Sequence, residues 1–207
     1  ALADLIASKP PQTVALGMPW SPGVAYGDFL RDLDREHPAA LAILDAATGL
    51  FRGAGYAAFD GEPPEQPVQA AIGAPYAHTT APLRRLVDRW TLVICEAVAN
   101  GREVPGWARE SLPELPTLMA HSDGLAGRLG SGSLDRVEAA VLVDRVGEVF
   151  DAIVLRERGD DARVQLVDPP VTATATGAGG TAGTRIRVRL DRAEIATGKV
   201  SLVTDQS

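Results

Sequence analysis

The sequence has little cysteine and no long apolar run: Cys95 is its single cysteine, and no stretch is apolar enough to span a bilayer. One cysteine excludes a disulfide framework within the chain, and such sparing use is typical of reducing compartments. No signal peptide is recognisable either. We therefore expect a cytoplasmic location and no membrane partner.

Most of the short motifs that carry catalysis are also missing. The chain has no Gly-rich phosphate loop, no GxSxG elbow and no cysteine–histidine cluster with zinc spacing. It lacks the tight aspartate cluster that holds two magnesium ions for phosphodiester cleavage. The adjacent acids of "RGDD", residues 158–161, fall in a predicted hairpin turn. We therefore assign no metal ligand within this chain.

Acidic residues outnumber basic ones: the sequence has 20 Lys and Arg and 27 Asp and Glu, which gives a formal net charge of -7. This balance disfavours a general polyanion binder and leaves room for a local basic groove. With 207 residues, 45% of them hydrophobic, the chain is long and apolar enough to bury a core. It begins "ALADLIASK", without Met and in a helix-like pattern, so we expect a fragment of a longer protein.

The first half of the chain has mostly helical periodicity. "ALADLIAS" predicts a helix end, and a second helix begins with Pro38 in its first turn and ends near Gly53. The clearest helix follows Pro82, because its apolar residues recur at steps of three and four. A helix pair is predicted over about residues 113–145, broken at "GSGS", where Ser133 would cap the second helix.

From Gly147 the apolar period changes to that of strands. The predicted strands are "EVFDAIVLRE", "ARVQLVD", "TRIRVRLDRAEI" and "KVSLVTD". "TATATGAGGTAGT", residues 172–184, is of low complexity and predicts a flexible loop. Four or five short strands in about sixty residues fit a small closed barrel of OB type. The predicted fold class is therefore α+β, with a mostly helical part over residues 1–146 and a barrel over residues 147–207.

The segment "PYAHTTAPLRRLVDRW", residues 75–90, predicts a loop that turns into a helix. Thr80 is placed to cap the helix, and Pro82 is allowed in its first turn. Arg84 and Arg85 then lie beside a helix end of their own sign, where cations are mildly disfavoured. One interpretation is an anion site, with Asp88 orienting Arg84 from the same helix face. The other is that both arginines simply pair with acidic neighbours on the surface.

The same loop carries two rings. His78 can donate a hydrogen bond to a phosphate or a sugar, although a histidine in a loop more often orders the loop itself. Tyr76 can stack on a base, although packing against the protein is the more common role of such a side chain. Neither ring identifies a ligand by itself.

The predicted strand "TRIRVRLDR" places Arg185, Arg187 and Arg189 on one face and apolar residues on the other. A row of arginines on a barrel suits a nucleic-acid backbone. An ordinary solvated face or a charge-protected edge strand gives the same pattern. Glu138, in "DRVEAAV", is one acid on an apolar helix and carries no meaning alone.

The segment "PYAHTTAPLRRLVDR" closely resembles the "YAHFTSPIRRYxDLxVHR" motif of RNB-domain exoribonucleases, the RNase II and RNase R family. The segments "RGAGYAAFDGEPPEQPVQAAIGAPYAH" and "VEAAVLVDRVGEVFDAIV" are similar to its actinobacterial branch. The resemblance implies the C-terminal part of an RNB catalytic domain over residues 1–146, followed by an OB-type RNA-binding barrel. It implies hydrolysis of single-stranded RNA from the 3′ end to nucleoside 5′-monophosphates. It also implies magnesium held by an aspartate cluster upstream of this sequence, so this chain alone is expected to be inactive.

The resemblance also implies roles for individual residues. Arg84 matches the motif arginine that contacts the scissile-end phosphate, and Glu138 falls, by a much looser alignment, where the family has a glutamate near the 3′-terminal nucleotide. The positions that match residues lining the RNA channel are Tyr76, His78, Thr80 and Arg85. The motif is altered at Thr79, Ala81 and Leu86. The expected partners are single-stranded RNA and the upstream half of the same protein. Two alternatives stay open: a non-catalytic RNA-binding module, which would lack an upstream aspartate cluster, and an inactive scaffold of the same family.

Overall fold

The computed structural model describes residues 16–21, 23–49, 55–65, 67–69 and 72–205, which form both helices and strands. The helices are α1 (Tyr26–Arg31), α2 (Pro38–Thr48), α3 (Leu86–Ala99), α4 (Gly106–Ser111) and α5 (Leu115–Leu142). The strands are β1 (Val68–Gln69), β2 (Ala74–Pro75), β3 (Val149–Arg158), β4 (Asp161–Leu166), β5 (Thr172–Thr176), β6 (Arg185–Glu194) and β7 (Lys199–Thr204). The predicted α+β class is confirmed. The helix predicted at "ALADLIAS" and the helix end predicted near Gly53 lie outside the described residues.

Strands β3 to β7 close into a barrel in the order β3–β4–β5–β7–β6. Strand β3 pairs antiparallel with β4 on one side and with β6 on the other, while β5 and β7 run parallel. Gly159, at a φ of 63°, supplies the tight turn of "RGDD" between β3 and β4, as predicted. The small closed barrel of OB type is confirmed.

Alternation of side chains along each strand fills the barrel. The buried cluster inside it comprises Leu142, Phe150, Ala152, Val154, Ala162, Val164, Leu166, Val171, Ala173, Ala175, Ala178, Val188, Leu190 and Leu202. Successive residues of a strand point to opposite faces, so each second residue enters the core and its neighbours face outward. Leu142 joins this cluster from the end of α5, which ties that helix end to the barrel.

The expectation of a flexible loop over residues 172–184 is wrong in its first part, because Thr172–Thr176 forms strand β5. The segment "TATAT" alternates a β-branched residue with alanine, a strand pattern that repetition disguised as low complexity. Ala173 and Ala175 face the core, where β5 pairs with β4 and β7.

Helix α2 packs along the outside of the barrel strand β3. Ile153 lies between the core residues Ala152 and Val154 and is only 5% exposed, so the outer face of β3 is covered. Asp45 on α2 accepts a hydrogen bond from Arg156 Nε at 2.6 Å. Helix α2 therefore covers part of the outer surface of the barrel.

The predicted break at "GSGS" is wrong, because α5 runs without interruption from Leu115 to Leu142. Each glycine in a helix interior costs about 1 kcal/mol relative to alanine, which good packing elsewhere offsets. That packing is present towards both ends of α5, at Met119 and Ala139. Ser133 lies inside the helix and does not cap it.

The chain divides into two compact units. One contains the described residues up to Gly49 together with those from Ser131 onward, and thus the barrel; the other contains the described residues between 53 and 130. These units reflect contacts within the fold, so the domain boundary predicted between residues 146 and 147 stays a prediction.

The unit without the barrel is held by α3 and α4. Trp90 donates its indole N–H to Ser111 Oγ at 2.9 Å, and its ring meets Trp107 edge-on at 5.5 Å between centroids. The short strands β1 and β2 pair just before the loop that contains Tyr76. No helix in the described part of the chain has the length and apolar character needed to cross a membrane.

Candidate nucleic-acid interface

The loop before α3 differs from the predicted capped helix start. Helix α3 begins at Leu86, and Arg85 is its extended N-cap residue at φ -122° and ψ 116°. Arg84 and Arg85 therefore precede the helix instead of occupying its first turn, and Thr80 does not cap it. The backbone N–H groups of both arginines donate to the Ala81 carbonyl at 3.1 and 2.9 Å, which forms a separate turn ahead of the helix.

Asp88 explains this local geometry, because its fully buried carboxylate organises the loop. Its Oδ1 accepts from Arg85 Nε at 2.9 Å, and its Oδ2 accepts from Arg85 Nη2 at 3.0 Å. The Ala81 backbone N–H donates to the same Oδ2 at 2.5 Å. The Arg85 guanidinium, followed by the Ala81 N–H, lowers the pKa of the Asp88 carboxyl despite its burial. The prediction that Asp88 orients Arg84 is wrong, since its partner is Arg85.

Arg84 is left exposed by this arrangement. Its guanidinium has no hydrogen-bond or ion-pair partner among the residues that the structure describes. Arg89 donates from Nε to the Pro82 carbonyl at 2.8 Å and so braces the turn from the helix side. Of the two interpretations offered for the arginine pair, pairing with an acidic neighbour holds for Arg85, although that acid is buried and not on the surface, whereas Arg84 is available to an anion.

An aromatic group lies in the same loop. The His78 ring meets Tyr76 at 5.1 Å and Tyr56 at 5.7 Å, both edge-on. Tyr76 stays 47% exposed, so it packs against His78 and is still accessible to solvent. Burial, followed by the charge of Asp123, raises the pKa of the Tyr56 phenol. Sequence reasoning missed Tyr56, whose separation from His78 along the chain gives no periodic signal.

Thr80 also has a role in ordering the loop. Its hydroxyl accepts a hydrogen bond from Arg85 Nη2 at 3.3 Å. The predicted RNA contacts of Thr80 and Arg85 stay predictions, but the interactions described for both side chains hold the loop in shape.

The arginine face of β6 has the predicted geometry. Arg185, Arg187 and Arg189 are exposed, while Val188 and Leu190 between and after them are buried. Strand β6 pairs with β3 on one side and with β7 on the other, which excludes the edge-strand alternative.

Asp205 was missed by sequence reasoning and lies against this arginine face. Its carboxylate is 2.7 Å from Arg189 Nη2 and 3.7 Å from Arg187 Nη2. The spacing of a residue beyond the last strand gives no signal for such a contact, because the contact depends on the pairing of β6 with β7.

Glu138 lies on α5 beside the barrel. The Thr172 backbone N–H donates to its carboxylate, while partial burial raises the pKa of the Glu138 carboxyl. A polar cavity of about 220 Å³ here is lined by residues that include Asp135, Arg163 and Lys199. These neighbours come from the barrel and its helix, and the catalytic role expected for Glu138 stays a prediction.

The described residues were compared with the ligands that a magnesium ion needs. They contain no group of three or more His, Cys, Asp or Glu side chains that could hold a metal ion. Hard cations such as magnesium prefer carboxylate oxygens, and the described acids of the loop and the barrel are dispersed or paired with arginine. The described residues therefore supply no ligand set for this cofactor, and the expectation that magnesium is held upstream of this sequence stays a prediction.

One known protein family matches the barrel part of the chain. Residues 148–204 match the family described as RNase II-type exonuclease C-terminal S1 domain. Among curated proteins, none matches this chain.

Solved structures of Mycoplasma genitalium RNase R share the fold across the chain. The apo form has 12% sequence identity and a TM-score of 0.71, and the match covers 98% of this chain and 36% of that one. The complex with ribose methylated single-stranded RNA has 11% identity, a TM-score of 0.72 and the same coverage. The complex with double-stranded RNA has 12% identity and a TM-score of 0.63, covering 99% of this chain and 34% of that one.

This chain thus spans little more than a third of the RNase R chains it matches. The resemblance stated from the loop motif is confirmed by the barrel and by the fold. Residues 148–204 are similar to the RNase II-type exonuclease C-terminal S1 domain, and the chain shares the fold of the C-terminal portion of RNase R.

Proposed function

We propose that this chain is the C-terminal portion of an exoribonuclease that hydrolyses RNA from the 3′ end to nucleoside 5′-monophosphates. The S1 barrel and the shared fold support the ribonuclease family. The matched RNase R has been solved with single-stranded and with double-stranded RNA, which supports RNA as the partner. Magnesium and its ligands belong, in this proposal, to the upstream half of the longer protein, and the site of action is the cytoplasm.

The observation that carries the proposal is the exposed guanidinium of Arg84 on a braced loop. An arginine fork binds two phosphate oxygens at once, and it does so best when the backbone beneath it is held in place. Asp88 and Arg85 hold that backbone through the buried contacts to Ala81. Arg84 then stabilises negative charge on the RNA phosphate near the scissile bond.

The remaining candidate residues of the loop, of the barrel and of helix α5 have supporting roles in this proposal. Tyr76, which is accessible to solvent, stacks on a base, and His78 is held beside it. Arg185, Arg187 and Arg189 contact the RNA backbone from the barrel. Glu138 is retained as a residue near the 3′-terminal nucleotide on the strength of the resemblance alone.

Titration of this 207-residue chain with fluorescent single-stranded RNA at several salt concentrations tests the proposal. Each phosphate of a single strand that a cationic side chain neutralises adds about 0.7 to the slope of log affinity against log salt. Arg84→Ala should therefore weaken binding and reduce the slope by about 0.7. Arg128→Ala is the matched control, because Arg128 is an exposed arginine of the same compact unit, on α5.

Two outcomes contradict the proposal. If Arg84→Ala and Arg128→Ala have equal slopes, Arg84 does not contact a phosphate. If the chain alone releases mononucleotides from RNA in the presence of magnesium, the assignment of the magnesium ligands to the upstream half of the longer protein is wrong.

The alternative, an RNA-binding module without catalysis, predicts the same RNA binding by this chain. The two proposals differ in what the longer protein does, because under the alternative it would bind RNA and leave it intact. The changes of the motif at Thr79, Ala81 and Leu86 keep this alternative in view.

A further inference from the structure

The arginine face of β6 ends at a carboxylate that sequence reasoning did not connect with it. Asp205 follows β7, and its backbone N–H donates to the carbonyl of Arg187 at 3.1 Å. The contact extends the ladder between β6 and β7 by one hydrogen bond beyond Thr204. The backbone of Asp205 is thus fixed to the same strand that carries the arginines.

The side chain of Asp205 points at two of those arginines. It is 3% exposed, whereas the side chains of Arg187 and Arg189 are 58% and 47% exposed. Arg189 Nη2 donates to Oδ1 at 2.7 Å, and Arg187 Nη2 lies 3.7 Å from Oδ2. The carboxylate is therefore shielded from solvent beneath two guanidinium groups that remain accessible.

We propose that Asp205 is a positioning residue that holds Arg187 and Arg189 as one ordered pair for an RNA backbone. This rests on the proposed function, in which the barrel binds RNA. Residues two apart on a strand are about 7 Å apart, so the pair presents two cations at a fixed separation on one face. Asp205 itself touches no RNA in this proposal and acts through the arginines.

Asp205 affects RNA affinity in two opposite ways. It strengthens binding by ordering Arg187 and Arg189, and it weakens binding by repelling the RNA phosphate. Immobilising one long side chain on binding weakens affinity by about twofold to tenfold, so ordering two arginines in advance is worth more than either alone. At the effective dielectric constant of about 20 near a protein surface, a carboxylate and a phosphate about 7 Å apart repel each other enough to weaken binding up to about 50-fold in the absence of salt. Salt screens this repulsion over a Debye length of about 8 Å at physiological ionic strength. The positioning role requires the ordering of both arginines to outweigh the screened repulsion, so removing Asp205 should weaken RNA binding.

Arg185 supplies an internal control on the same strand face. It is exposed like its two neighbours, and it has no ion pair within the described residues. Its register partner on β3 is the buried Ile153 rather than an acid. A mutation of Asp205 should therefore be coupled to Arg187 and Arg189 and not to Arg185.

The test is a mutant cycle on single-stranded RNA binding with the full 207-residue chain. Asp205→Asn keeps the size of the side chain and removes its charge, and Asp205→Ala is the second variant should the asparagine substitute for the carboxylate. Asp191→Asn removes a charge from an exposed position of β6 and serves as the matched control. Circular dichroism of each variant checks that the barrel is intact.

Asp205→Asn should weaken RNA binding about fivefold while leaving the salt slope unchanged or steeper, because the arginine charges remain but lose their order. The effect should persist in an Arg185→Ala background and disappear when Arg187 and Arg189 are both replaced by alanine. Asp191→Asn should leave binding the same or slightly tighter.

Tighter binding by Asp205→Asn than by the parent chain would overturn the proposal and show that Asp205 only neutralises the arginines. An equal loss in the backgrounds with and without Arg187 and Arg189 would also overturn it. In both cases the parent chain still binds RNA, so the proposed function stands. Failure of the parent chain to bind RNA would overturn both.

Discussion

Substitution of Gly198 tests how the barrel is seated on helix α5. Gly198 lies in the turn between β6 and β7 at a φ of 70°. A Cβ atom there would lie 2.8 Å from Asp135 Cβ and 3.1 Å from Arg136 N. Both neighbours belong to α5, so an alanine side chain would meet the helix backbone and could not be accommodated by a flexible side chain alone.

Two effects add in Gly198→Ala. Left-handed backbone costs a residue with a Cβ about 1–2 kcal/mol. Overpacking against a helix typically costs a further 1–3 kcal/mol, so the total loss of unfolding free energy should be about 2–5 kcal/mol. Gly177→Ala is the matched control, because Gly177 has a φ of 69° in the same barrel and a Cβ added there would meet no atom within 4 Å.

Urea unfolding followed by circular dichroism measures both variants. Gly198→Ala should be less stable than Gly177→Ala by about 1–3 kcal/mol, which isolates the contact with α5 from the backbone penalty. If the two variants unfold within about 0.5 kcal/mol of each other, the close approach of the turn to the helix is refuted.

Two further predictions concern stability. Leu202 is fully buried in the barrel, so Leu202→Ala should lower the unfolding free energy by about 2–5 kcal/mol. Leu134 is 58% exposed, so the control Leu134→Ala should change the unfolding free energy by about 0.5 kcal/mol or less. Equal urea midpoints of the two variants would contradict this prediction. The lowered pKa of Asp88 means that the unfolded chain binds more protons at low pH, so its stabilising contribution is complete above the ordinary value of 3.8 and is lost as pH falls through the lower native value. Acid unfolding should show this loss in the parent and a smaller one in Asp88→Asn; identical acid profiles would contradict it.

Strand patterns were predictable in the barrel because alternate residues of the strands enter its core, even where the outer face of β3 is covered as well. The charged and apolar residues of β6 separate onto two faces as the sequence indicates, and the turn at Gly159 falls where "RGDD" predicts it. Strand β5 was missed, because "TATAT" has small side chains and carries a weak apolar signal. Its pairing on both sides with β4 and β7, which is a tertiary property, makes it a strand.

Helix boundaries were less predictable, because buried polar contacts override local propensity. The start of α3 at Leu86 depends on the Asp88 carboxylate, which draws Arg85 and the Ala81 N–H into a turn ahead of the helix. Helical spacing alone paired Asp88 with Arg84. The continuity of α5 through "GSGS" similarly depends on packing towards its two ends and not on the residues at its middle.

The candidate interface was predictable in part. The loop motif identified Arg84 and the strand pattern identified the arginine face, since both are written in contiguous sequence. Tyr56 and Asp205 were not predictable, because each meets its partners through chain pairing over a long separation. Contacts of this kind leave no periodic trace in a single sequence.

The most direct test of the central claim is the rate of mononucleotide release from single-stranded RNA by the longer protein to which we propose this chain belongs. The parent protein with magnesium should shorten RNA from the 3′ end to nucleoside 5′-monophosphates. Arg84→Ala should lower the turnover rate about 10²- to 10³-fold, as expected when one group that stabilises charge in the transition state is removed. Equal turnover by the parent and by Arg84→Ala would contradict the account.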